Sequence, residues 1–260
     1  MIRFEVRDRV ALATIDRPER RNALNAELCD VLGDHLGRID VDVVGAVVVT
    51  GEGSAFCSGA DLARRAADTG ADGGGIEHGG GDSFRPAFDR LLQSIVEHPL
   101  PVIAAVNGPA MGAGMQLAVA CDFRVVGPRA RFAIPAARLG VVLSSPNIAR
   151  LERLVGPGVA RDVLLAAATL DVDAAEQAGL VHRRAEDALD AALAWGDELA
   201  RLAPLTVRGH KHALNLVARG LTPEAIVELR ALEERAFTSD DLQEGLAAFD
   251  EKRPPEFRGR

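Results

Sequence analysis

From Pro101 to Cys121 the chain carries no charged side chain: PVIAAVNGPAMGAGMQLAVAC. Its first part is a β-branched run with no polar face, which suits a strand covered on both sides, as in a parallel sheet under helices. Asn107, Gly108 and Pro109 then break the run, and small residues lead into an apolar helix whose one uncharged polar side chain, thiol aside, is Gln116. The same order of buried strand, turn of small residues and helix recurs upstream in VVVTGEGSAFCSGADL, Val47 to Leu62. A sheet with helices on its faces, an α/β fold, is the architecture that buries both segments.

The flanking sequence extends the alternation. RVALATI (Arg9 to Ile15) and GAVVVTG (Gly45 to Gly51) read as strands, and Ala23 to Ile39 has helical spacing of its apolar residues. Further helices are expected from near Ala60 and over Phe84 to Glu97. From Ile148 the pattern becomes helical with short breaks: Ile148 to Leu154, Val159 to Ala167, Asp187 to Leu202, Pro204 to Val217, Pro223 to Phe237 and Asp240 to Lys252. This divides the chain into an α/β core over 1–200 and a C-terminal helical region over 201–260. Thr69 to Asp82 holds seven glycines in fourteen residues, and ordering them costs much chain entropy, so a mobile loop over a ligand site is expected there.

Composition narrows the function. Thirty Lys and Arg against 38 Asp and Glu give a net charge of −8, which offers no overall attraction for nucleic acid or an anionic membrane. No window approaches the 18 consecutive apolar residues of a membrane span, and MIRFEVRDRV has charges where a signal peptide has its apolar run. A cytoplasmic protein is expected. Cys29, Cys57 and Cys121 lie far apart without a C-x-x-C, so neither a disulfide framework nor a metal centre is indicated, and His210 and His212 point to different faces of one helix.

At a helix start the first backbone N–H groups lack partners and the helix dipole is positive. Gly, Ala and Ser leave those groups open to a ligand. Two such starts facing each other would form an oxyanion hole, in which two N–H donors hold a carbonyl oxygen as it becomes an enolate. Dinucleotide binding is the competing use of such glycines, but G-x-G-x-x-G would need glycine where Leu117 stands.

Four blocks in order, IDRPERRNALN (Ile15 to Asn25), FCSGADL, NGPAMGAGMQLAVACDFRV and EGLAAFDEKRPPEFRG, resemble the enoyl-CoA hydratase/isomerase, or crotonase, family over nearly the whole chain. The resemblance implies a spiral of β-β-α turns with C-terminal helices that build a homotrimer, in many members paired into a hexamer. It implies an acyl thioester of coenzyme A as ligand and no separate cofactor or metal. By it, the backbone N–H groups of Ala60 and Ala113 form the oxyanion hole, with Gly112 beside the substrate. Ala23, Asp61 and Leu62 fall where the family contacts adenine. Phe249 and Lys252 fall where a neighbouring subunit reaches the nucleotide, and Arg17, Arg20 and Arg21 form a local anion patch. Ala133, Ile134, Ala136, Ala137, Val141, Val142 and Leu143 are the implied floor of an acyl pocket.

The chain departs from the hydratase pattern at the proton-transfer positions. The family's two glutamates fall at Gln116 and Ala136, and neither can titrate. Between Asn107 and Arg150 the one acid is Asp122, at a position expected to be structural. R-R-N-A-L-N, G-A-G-x-Q-L and E-K-R-P-P are similar to a mycobacterial-type branch serving lipid metabolism; with both acids replaced, the chain is expected to hold the thioester with weak or absent hydration, and a lipid-synthesis enzyme is its candidate partner. The alternative is an active hydratase or isomerase whose proton is moved by water on Gln116, Ser144, Ser145 or Asn147, or by Glu77, His78 or Asp82.

Overall fold

The structure is a computed structural model describing residues 1–61 and 83–260. The helix expected from near Ala60, the glycine-rich stretch and its Glu77, His78 and Asp82, and Leu62, all fall outside the described residues. In chain order the elements are β1 (Ile2–Arg7), β2 (Val10–Ile15), α1 (Ala26–Gly37), β3 (Ala46–Gly51), α2 (Phe84–Glu97), β4 (Val102–Val106), β5 (Pro109–Met111), α3 (Ala113–Ala120), β6 (Phe123–Val126), β7 (Arg131–Ala133), α4 (Ala136–Leu139), α5 (Ser145–Leu165), β8 (Thr169–Leu170), α6 (Val172–Gln177), β9 (Arg183–Arg184), α7 (Ala188–Ala200), α8 (Pro204–Arg219), α9 (Pro223–Phe237) and α10 (Asp240–Glu251).

The main sheet has the order β1-β2-β3-β4-β6-β9 and is parallel except for the β1–β2 hairpin. Its strands alternate their buried side chains between two cores, as the period of two requires. Ala11, Ala13, Val47, Val49, Ala104 and Val106 face the core shared with α1, α2 and α3, whereas Val10, Leu12, Val48, Ile103, Ala105 and Val125 face α7. A smaller sheet, β5-β7-β8, carries the chain past the start of α3.

Buried cations tie these layers together. Arg124, at 2% exposure, donates to the carbonyls of Leu180 (2.6 Å), Ala118 (3.0 Å) and Cys121 (2.8 Å), and so caps the C-terminal end of α3. Lys211 on α8 donates to Asp122 (2.7 Å), Leu100 O (2.9 Å) and Ile95 O (3.2 Å). Asp122 also accepts from Val102 N, so it is structural here.

His98 lies buried beside this cluster, with Nδ1 accepting from Leu100 N at 3.1 Å and Nε2 within 3.3 Å of Leu36 O. Burial first, then the Lys211 charge, holds its pKa below the ordinary histidine value. The unfolded chain therefore binds a proton that the folded chain refuses. The stability His98 contributes is present above the unfolded value of about 6.5 and is lost as pH falls below it. The melting temperature should drop between pH 7.5 and 5.5, and by less in His98→Gln. Parallel curves for the two proteins would show that His98 is not the titrating group.

Candidate active site

Two asparagines, Asn22 buried and Asn107 half-buried, fix the first half of the site. Asn22, in left-handed backbone (φ 60), donates from Nδ2 to Glu52 O (2.9 Å) and Ala55 O (2.7 Å) and accepts from Arg17 N (3.0 Å). Asn107 donates to Gly51 O and Gly53 O, each at 2.8 Å. Together they hold the turn after β3 against the loops after β2 and β4. The segment after that turn then runs between its neighbours: Leu24 N donates to Gly59 O, Asp61 N to Leu24 O, Cys57 N to Pro109 O and Met111 N to Cys57 O.

Two glycines allow this closeness. A methyl on Gly114 would meet Cys57 O at 2.1 Å, and one on Gly59 (φ +107) would lie 2.9 Å from Met111 O and 3.5 Å from Ala113 N. The start of α3 is thus pressed onto the Cys57–Ala60 segment. Neither the Ala60 nor the Ala113 N–H donates to any described residue. Both alanines border one cavity of about 550 Å³, in the size range of small-molecule sites.

The cavity is lined mainly by apolar groups: Phe84, Phe88, Ile134, Ala136, Leu139, Val141, Val142 and Leu143, with Gly59 and Gly112 at the alanines. Of the expected floor, Ala133 and Ala137 do not line it. Ala133 is buried in β7, where its carbonyl accepts from Gly112 N at 2.7 Å, and Ala137 is exposed on the far side of α4. Ala136 begins α4 and adds only a methyl. Val142, at 81% exposure, stands at the mouth.

The polar part is a chain of side chains at one wall. Gln116 accepts through Oε1 from Asn147 Nδ2 at 3.0 Å, and the same amide donates to Asp89 Oδ1 at 3.2 Å. Ser144 Oγ donates to that oxygen at 3.1 Å, and Arg150 donates to Asn147 Oδ1 at 2.5 Å. Asp89, from α2, is not among the candidates of the sequence analysis, which are at the two glutamate positions, at Ser144, Ser145 and Asn147, and at Glu77, His78 and Asp82. Ser145, in contrast, does not line the cavity.

The described residues that the family resemblance assigns to the nucleotide lie on the loops after β2 and β3 and at the end of α10. Ala23 and Asp61 flank the Leu24–Ala60 bridge. Asp61 is held by Arg17 at 3.0 Å, and Arg17 also donates to Ala23 O, so Arg17 is spent as a bracket between the two loops. Arg20 and Arg21 are exposed and form no ion pair with described residues. Phe249 and Lys252 do not line this cavity of their own chain, and Phe249 is 85% exposed. Cys57, beside the Ala60 turn, is fully buried and its pKa is pushed up to about 12 by burial, which keeps it a thiol. The same holds for Cys29 and Cys121, so all three thiols should resist a soluble aromatic disulfide reagent until the protein unfolds. Fast labelling of native protein would contradict that packing.

A parallel sheet under helices, two backbone N–H groups set beside glycines, and a largely apolar cavity that both alanines border make up the site. The family model for enoyl-CoA hydratase/isomerase matches residues 5–260. The chain is 40% identical to the probable enoyl-CoA hydratase echA6 of Mycobacterium leprae and 39% identical to that of Mycobacterium tuberculosis, with all of both sequences covered in each case. A crystal structure of an enoyl-CoA hydratase from Polaromonas sp. JS666 superposes with a TM-score of 0.88 at 28% identity, covering 99% of each chain. The chain belongs to the enoyl-CoA hydratase/isomerase family and has the crotonase fold expected from its four blocks. Among the described residues no helix is long and apolar enough to cross a membrane.

Proposed function

We propose that this protein binds fatty acyl thioesters of coenzyme A, with the thioester oxygen on the N–H groups of Ala60 and Ala113 and the acyl chain along Ile134, Ala136, Val141, Val142 and Leu143. The observation that carries the reading is the pair of backbone donors, without an acceptor among the described residues, that border a largely apolar cavity. Exposed Arg20 and Arg21 would meet the nucleotide phosphates, with Ala23, Asp61, Leu62 and Gly112 along the ligand. Phe249 and Lys252 of a neighbouring subunit would complete the nucleotide end in a homotrimer. The groove between α8, α9 and α10, lined by Leu229, Leu232 and Leu242 with Phe237 at 73% and Leu246 at 57% exposure, suits such association. A cytoplasmic role in fatty acid and lipid metabolism fits this ligand, as does delivery of the acyl group to a lipid-synthesis enzyme.

Hydratase turnover should be poor, because neither Gln116 nor Ala136 can move a proton, and each missing group costs about 10²- to 10⁴-fold. Calorimetry with palmitoyl-CoA and with short polar acyl-CoA esters tests the ligand class, and palmitoyl-CoA should bind more tightly. In parallel, loss of the conjugated thioester absorbance of trans-2-enoyl-CoA should run at least about 10²-fold slower than in a two-glutamate hydratase. A tighter grip on the short polar esters, or a hydration rate equal to the control, would defeat the corresponding half of the reading. Light scattering should give a mass three times that of the chain.

A further inference from the structure

Asp89 is the one carboxylate that lines the cavity among the described residues. Its position is built. Ser144 stands at the N-terminal end of α5, where a serine hydroxyl ordinarily accepts from its own helix's backbone, yet it makes no such cap and donates instead to Asp89 Oδ1 at 3.1 Å. Asn147, one turn on and 6% exposed, donates to the same oxygen at 3.2 Å. The orientation of the Asn147 amide is set from both ends, because Arg150 donates to its oxygen while its nitrogen serves Asp89 and Gln116. Two donors on Oδ1 fix the plane of the carboxylate. Oδ2 accepts from no described residue.

We propose that Asp89 Oδ2 is the proton acceptor of this site, and that the protein enolises bound acyl-CoA thioesters at the carbon next to the carbonyl. This rests on the acyl-CoA reading above. In the forward step the C2–H bond breaks, the proton passes to Asp89 Oδ2, and the electron pair moves onto the thioester oxygen, which Ala60 and Ala113 N–H stabilise as the enolate. In the return step Asp89 gives a proton back to C2, so no atom is gained or lost. Gln116 occupies the position of the hydratase acid, and Asn147 links it to Asp89, so the titratable group has shifted from α3 to α2 along one hydrogen-bonded wall. Hydration needs one group to activate water and another to protonate carbon, whereas enolisation needs one group that works in both directions. Asp89 is also exposed, so its proton exchanges with solvent between the two steps.

That exchange supplies the test. Full-length protein is incubated with octanoyl-CoA in heavy water and deuterium at C2 is followed by mass spectrometry, beside calorimetric binding of octanoyl-CoA to the same samples. The wild type should label C2 well above the protein-free rate. Asp89→Asn keeps the size of the side chain and an oxygen for Ser144 and Asn147, so it should fold and bind within about threefold, while labelling falls by about 10²-fold or more. Asp89→Glu should recover part of the labelling. Equal labelling by wild type and Asp89→Asn would overturn the assignment, as would absence of labelling by a wild type that binds octanoyl-CoA. Absence of binding by the wild type would remove the acyl-CoA reading itself, and this inference with it.

Discussion

Ala113→Pro should abolish most enolate chemistry while leaving the fold in place. Position 113 opens α3 directly after Gly112, and proline is tolerated at the first position of a helix because the N–H it lacks has no partner within the helix. Under the proposed function the lost N–H is one of the two oxyanion donors, and the ring carbon that replaces its hydrogen would intrude where the thioester oxygen approaches. Removal of one oxyanion donor typically costs about 10²- to 10³-fold in turnover. A ground-state hydrogen bond is worth about 0.5–1.5 kcal/mol, or up to about tenfold in affinity, to which the intruding ring adds. Deuterium labelling at C2 should therefore fall further than acyl-CoA affinity, with circular dichroism and melting temperature close to those of the wild type. If both affinity and labelling survive in a folded variant, the second donor is not at position 113. Gly114→Val offers the contrast, because its Cβ would meet Cys57 O at 2.1 Å and push α3 off the neighbouring segment. That variant should lose stability together with binding.

The parts of the fold legible in the sequence are those where one element is enough to reveal itself. β2, β3 and β4 are continuous apolar runs, and α2, α7, α8, α9 and α10 repeat at helical spacing with clear starts. What escaped is what the rest of the molecule imposes. β1 alternates Ile2, Phe4 and Val6 with charged residues, but its charges were read as the exclusion of a signal peptide, and it becomes a strand by pairing with β2 at the sheet edge. β5, β7, β8 and β9 span two or three residues each, too short for any period to show. The break expected between Ile148 to Leu154 and Val159 to Ala167, by contrast, is present: Gly156 (φ 75, ψ 163) leaves helical backbone within α5, and Pro157 follows it.

The site divides in the same way. The proposed backbone donors can be chosen from sequence because such donors need small residues in a turn, and the glycines at 59 and 114 mark where two segments come within contact distance. The supporting asparagines were visible only as letters within a motif, since nothing local says that Asn22 will reach Glu52 O and Ala55 O thirty or more residues away. Asp89 was missed for a physical reason. It sits next to Phe88 on an amphipathic helix, at the border between the buried face and the solvent, where an acid is ordinary. Its distinction lies in Ser144 and Asn147, which the fold brings to it from 55 and 58 residues away. The hydroxyl of Ser144, at a helix start, was the local signal available, and its failure to cap that helix appears only in three dimensions.

Lys211→Met should be the most destabilising single change outside the site. Lysine is seldom buried unless every proton has a partner, and here the three protons go to Asp122, Leu100 O and Ile95 O, joining α8 to the end of α2 and to the start of β4 and β6. Methionine matches the length of the stem and leaves two carbonyls and a carboxylate without their cation. Breaking such a pair from one side costs about 3–5 kcal/mol, because the remaining charge is left poorly solvated. Asp122 keeps some access to water, with 27% of its side chain exposed, so the lower end of that range is expected. In a chain of this size each kcal/mol moves the melting temperature by about 2–4 °C, so the fall should be about 6–12 °C. Asp122→Asn in the same background removes the stranded charge and keeps an acceptor for Val102 N, and should restore part of the loss. A double-mutant cycle that returns no coupling between positions 122 and 211 would refute the ion pair as the source of the effect. Acyl-CoA binding by Lys211→Met well below its melting temperature should match the wild type, since neither partner of the pair lines the cavity. A large loss of binding there would mean that the clamp also sets the position of α2, and through it the placement of Asp89.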